Sequence, residues 1–141
     1  MWWAVYDTAL RVLPIAAIVV WTVYAGAAAT VGVRRRAVEA VGWTATTLTS
    51  LAVLPFVAFA LGLLVFLPAL WFLRVGSEST VAIVAWAEAL LLTVAVLAMG
   101  RWAFRRFARA RFLSAAVVIL GLGSVWMGRF LVTVDWSMGP T

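Results

Sequence analysis

Few side chains in these 141 residues can move a proton, fix a charge or attack a bond. They are Asp7, Glu39, Glu78, Glu88 and Asp135, the tyrosines Tyr6 and Tyr24, scattered serines and threonines, and arginine at all eleven basic positions. Glu88 stands apart, because it interrupts the apolar run 81–100 (VAIVAWAEALLLTVAVLAMG) near its middle. A charged side chain at bilayer depth costs roughly 2.5 to 3.5 kcal/mol on insertion scales. It therefore needs a buried partner, a water-filled cavity or a bound proton, which makes Glu88 the first candidate for function.

The rest of the inventory excludes more than it offers. The chain contains no Cys, His, Lys, Asn or Gln, which removes thiolate and imidazole metal ligands, axial haem histidines, thiol redox chemistry and Schiff-base lysines. No glycine-rich phosphate loop, paired catalytic carboxylates or metal-ligand spacing occurs. Glu88 and Asp135 are the only acids on neighbouring apolar runs near one face, and about ten residues of depth keep them from forming a dyad. The expectation is a protein without enzymatic activity, cofactor or metal.

With 67% hydrophobic residues, 11% charged and a mean hydropathy of +1.13, the composition is far from the soluble balance of about 45–50% apolar and 25% charged. It is that of an integral membrane protein. A hydrocarbon core of about 30 Å takes roughly 20 residues of helix at 1.5 Å each, and four spans follow: 12–33, 46–67, 80–100 and 112–134. The first carries Pro14 in its opening turn, where a missing N–H is tolerated, and stops at Arg34, Arg35 and Arg36. Its Ala25, Gly26, Ala28, Ala29, Thr30 and Gly32 form small-residue spacings that permit close helix contact. The uncharged run 40–73 reads as one span, kinked at Pro55, with Trp43 at one interface. Pro68 ends it, so that Ala69, Leu70, Trp71 and Phe72 lie along the other. The fourth span has a second seam at Gly121, Gly123, Ser124 and Gly128. Short connections leave room for one membrane domain over 1–141, an all-α four-transmembrane-helix bundle. MWWAVYDTAL lacks the basic start of a signal peptide, so it is expected to be retained.

Charge asymmetry tests the count of spans. Four of them put Arg34, Arg35, Arg36, Arg101, Arg105, Arg106, Arg109 and Arg111 on one side, which the positive-inside rule makes cytoplasmic. Arg11, Arg74 and Arg129 are left on the other side, nearly balanced by Asp7, Glu78 and Asp135. Both termini are then expected outside the cytoplasmic membrane, with Trp2, Trp3, Tyr6 and Trp136 as an aromatic belt and Asp7 with Arg11 as an i,i+4 pair. The net charge of +6 then implies contact with anionic lipid headgroups rather than with nucleic acid. The segment 101–111 (RWAFRRFARAR) suits the headgroup layer if it continues as a helix, with Arg101, Arg105 and Arg109 on one stripe. Exclusive use of arginine fits a GC-rich, prokaryotic genome.

Helical rise places Glu88 about 12 Å, and Arg129 about 7–8 Å, below the same interface. A flexible arginine stem covers the difference, so an interhelical Glu88–Arg129 pair is expected. Trp21, Tyr24, Trp86 and Trp126 fall at comparable depth, where they either fill space between small residues or wall a pocket for an organic cation. Four helices with an embedded glutamate among aromatics are similar in design to small multidrug transporters. Their glutamate, however, lies in the first helix, whereas the first span of this chain, 12–33, has no acid. The functional expectation is a structural or accessory subunit of a larger membrane complex, joined to other subunits or to copies of itself. The alternative is a small proton- or cation-coupled transporter or channel that uses Glu88.

Overall fold

The computed structural model describes residues 1–75 and 78–133, without the side chains of Trp2, Phe72, Leu73, Arg74, Val75 and Glu78. The expectations for Asp135 and Trp136, for the last residue of the fourth span, and for charge balance at Arg74 and Glu78 lie outside the described residues. Five helices follow in order: α1 (Trp2–Val31), α2 (Arg36–Val65), α3 (Leu67–Val75), α4 (Glu78–Arg106) and α5 (Leu113–Thr133). All except α3 are long and apolar enough to cross a membrane. The chain is an all-α, multi-pass membrane protein, a bundle of four spanning helices with short connections.

Local chemistry explains most of the boundaries. Gly32 ends α1 at φ 92°, a left-handed conformation that costs glycine nothing and other residues a steric clash, and the arginine turn follows. Helix α2 then runs unbroken for 30 residues, as one span rather than two. It carries Pro55 in its interior, which deprives the Leu51 carbonyl of its usual donor. The chain leaves α2 at Phe66, whose N–H still donates to the Gly62 carbonyl at 3.2 Å. Pro68 does not stop the chain from being helical. It sits in the first turn of α3, where its missing N–H is an orphan in any case.

Two expectations about helix ends change. Because MWWAVYDTAL is itself helical, with Arg11 paired to Asp7 at 3.1 Å, α1 begins ten residues early and Pro14 lies inside it rather than in its first turn. At the other end of the molecule α4 stops at Arg106. Residues 107–112 form turns, so Arg109 is off the helical stripe that holds Arg101 and Arg105.

The helices pack in an open series, α1 on α2, α2 on α5 and α5 on α4, while α3 folds back on α4. No other pair of the long helices packs extensively. α2 and α5 are thus the two inner helices, and the glycines of α5 serve both of its neighbours. An ideal Cβ on Gly62 of α2 would meet the Ser124 carbonyl oxygen at 2.8 Å and the Gly128 nitrogen at 2.9 Å, so α2 and α5 touch backbone to backbone. A Cβ on Gly121 would meet Val96 of α4 at 2.6 Å. Close approach matters here because lipid is as apolar as the side chains, and dispersion between tightly packed backbones holds such helices together. Phe66, the largest wholly buried side chain, joins Ala69, Val81, Ala85, Ala89, Val96, Val125 and Val132 in the core.

Candidate functional site

Gly100 faces Val118, and Val96 faces Gly121. Extending this antiparallel register brings Glu88 of α4 level with Arg129 of α5, as their depths in the sequence imply. Both side chains are half-buried. Yet they form no ion pair: among the described residues the only one is Arg11–Asp7. The Arg129 guanidinium instead lies over the Trp86 ring, 3.5 Å from its centroid, with Trp126 at 5.5 Å. The two indoles meet edge to face at 6.1 Å.

Helical azimuth accounts for the corrected pairing. Trp86 and Glu88 are two residues apart, which turns their side chains about 160° away from each other around α4. An arginine that stacks on one cannot reach the other. The indole faces attract the cation through their quadrupoles, more strongly where water is excluded, but they accept no hydrogen bond along the guanidinium edge. Arg129 Nε and Glu88 Oε2 are accordingly both buried without a hydrogen-bond partner.

The four aromatics do not form one wall. Trp21 and Tyr24 belong to a separate cluster with Phe112, at centroid distances of 5.5, 6.1 and 5.4 Å. Since α1 packs on α2 and not on α4, neither ring reaches Glu88. Trp21 Nε1 donates to Thr49 Oγ1 at 2.7 Å, and that hydroxyl donates in turn to the Ala45 carbonyl at 2.8 Å. The cluster therefore fastens α1 to α2, which is the space-filling role.

At the end opposite Trp86 the two arginine-bearing connections come together around an open crevice of about 930 Å³, lined by Tyr24, Val33, Arg34, Glu39 and residues 108–111. Arg34, Arg109 and Arg111 line this space, whereas Arg35, Arg36, Arg101, Arg105 and Arg106 do not. Arg111 is steadied by the Phe104 ring at 5.0 Å. Its carbonyl accepts from the buried Ser114 hydroxyl at 2.6 Å.

Several of these residues carry no mark in the sequence. Phe112 reads as the start of a span and Gly42 as one more small residue. An ideal Cβ at Gly42 would lie 2.8 Å from Phe112 and 3.1 Å from Tyr24, so the absence of a side chain is what admits both rings. Thr49 has a faint signal. It belongs to the hydroxyl-rich run 44–50 (TATTLTS), the densest supply of acceptors for an intramembrane tryptophan in a chain without Asn, Gln or His. Compared with known protein families, curated proteins and solved structures, the chain matches none.

Proposed function

We propose that the protein is a structural or accessory subunit that assembles with other chains, or with copies of itself, inside a membrane. The observation that carries this reading is Glu88, which has a buried carboxylate oxygen without a partner although the chain holds an arginine at the same level. An uncompensated intramembrane charge is costly, and a donor or cation on a neighbouring subunit is the economical remedy. The open seam of α1 supports the same reading, since an ideal Cβ at Gly26 would meet nothing within 4 Å. In mild detergent the protein is expected to migrate as a complex. Glu88→Ala should weaken the association constant about tenfold, roughly the loss of one charged hydrogen bond, while leaving the isolated chain helical. A strictly monomeric wild-type protein with no co-purifying chain would overturn the proposal.

The same residue favours a second reading, a proton- or cation-coupled transporter or channel, because no arginine of the described chain is bonded to Glu88 and a cation has no competitor there. The aromatic pocket envisaged for such a substrate is not assembled, so the carboxylate alone would carry the binding. Flux into proteoliposomes should then collapse in Glu88→Gln, and flux that survives this change rejects the mechanism.

A further inference from the structure

The crevice at the arginine-rich end gathers charge without neutralising it. Arg34 comes from the α1–α2 turn, Arg109 and Arg111 from the α4–α5 connection, and Glu39 from the first turn of α2. None of them forms an ion pair, since Arg11–Asp7 is the only one among the described residues. Three arginines thus line one cavity together with a single glutamate, an excess of two positive charges.

The walls are also held in place. Tyr24 is fixed edge to face by Trp21 and Phe112 and lies against Gly42, while Gly32 sets the turn that carries Arg34. Arginines brought to one cavity by separate segments suit the several oxygens of a phosphate, which arginine binds in bidentate fashion. At about 930 Å³ the space is at the upper end of small-molecule sites, commonly about 300 to 1,000 Å³, and far exceeds a bare phosphate. Glu39, on the same lining, supplies a carboxylate that can accept hydrogen bonds from hydroxyls attached to such a group.

We infer that this crevice is a selective site for a phosphate ester whose polar substituent carries hydroxyl groups, of the kind presented by a glycerol-phosphate lipid headgroup. The arginines outside it supply only the general attraction of a basic surface for an anionic bilayer. Selectivity resides in Arg34, Arg109 and Arg111, with Glu39 reading the hydroxylated substituent.

The test compares two triple variants of equal charge in the full-length protein: Arg34→Ala/Arg109→Ala/Arg111→Ala from the crevice, and Arg101→Ala/Arg105→Ala/Arg106→Ala from outside it. Binding of phosphatidylglycerol, phosphatidic acid and phosphatidylcholine is titrated in mixed micelles, and glycerol phosphate and inorganic phosphate in solution. Wild-type protein should prefer phosphatidylglycerol. The crevice variant should lose at least about tenfold in affinity, as for one charged hydrogen bond or more, and the outer variant less than about twofold. Glu39→Ala should erase the preference over phosphatidic acid. A triple Arg→Lys change in the crevice keeps the charge and guards against misfolding, and it should also weaken binding severalfold. If soluble glycerol phosphate binds with the same arginine dependence and the lipid does not, the ligand chemistry holds and its source is a free metabolite. Equal losses in both alanine variants, or binding of phosphatidylcholine as tight as that of phosphatidylglycerol, would overturn the site.

Discussion

α5 and α1 both carry small-residue seams and use them differently. On α5, Gly128 lies against the backbone of Gly62 and against Phe66, Gly121 against Val96, and Gly123 against Leu54. On α1, Gly26 and Gly32 have open space where a Cβ would project, and Ala17 is the only buried residue among its described side chains. A seam of this kind specifies that some helix can approach closely. It does not specify which one. α5 meets that potential within the chain, whereas α1 leaves it unmet, as expected of a helix that faces lipid or another subunit.

The sharpest way to break this contrast is to fill both seams with the same side chain. Gly128→Leu would push into the Gly62 carbonyl and the Phe66 ring, atoms that already lie 2.5 and 2.6 Å from an ideal Cβ. Overpacking against backbone should cost about 3 kcal/mol or more. Thermal unfolding in detergent should show a loss of several degrees or no folded protein at all. Gly26→Leu should stay within about 0.5 kcal/mol of wild type in the same assay, and should lower only the fraction recovered in a complex. Equal destabilisation by the two changes would mean that α1 is packed in a way the open series of helices does not provide for.

A smaller effect separates the two partners available to Arg129. Arg129→Met and Trp86→Leu should be coupled by about 1 to 2 kcal/mol in a double-mutant cycle, the range for a desolvated cation–π contact. Arg129→Met and Glu88→Gln should instead add within about 0.5 kcal/mol. Coupling of the second pair with additivity of the first would restore the direct ion pair.

That choice of partner is also where the sequence stops being legible. Span number, the single long α2, the shared end of the two arginine connections and the common level of Glu88 and Arg129 all follow from run length and helical rise, which are properties along an axis. Azimuth is different. In a soluble helix the apolar stripe marks the buried face, but these spans are apolar on every side, so nothing in the run 81–100 says whether Trp86 or Glu88 turns toward Arg129. For the same reason the seam of α1 looks as ready for close packing as that of α5, and four aromatics at related depth look like one layer. The crevice was half legible. The eight arginines announce a shared end of the bundle, but only the break of α4 after Arg106 brings Arg109 and Arg111 to the same crevice as Arg34.

The smallest test concerns the joint by which α1 is held. Among the long helices α1 packs extensively on α2 alone, and the Trp21–Thr49 hydrogen bond at 2.7 Å is its polar contact with α2 among the described residues. Trp21→Phe keeps a ring against Tyr24 and Phe112 and deletes the donor. Thr49→Val keeps the volume and deletes the acceptor together with its bond to the Ala45 carbonyl. Hydrogen bonds between membrane helices average about 0.6 kcal/mol because the separated helices also find partners, so each change should cost about that much. The pair should cost little more than either change alone. Full additivity would show that the bond contributes nothing to the joint and that ring packing alone retains α1. α1 would then be free to exchange α2 for a helix of another chain without breaking a polar contact.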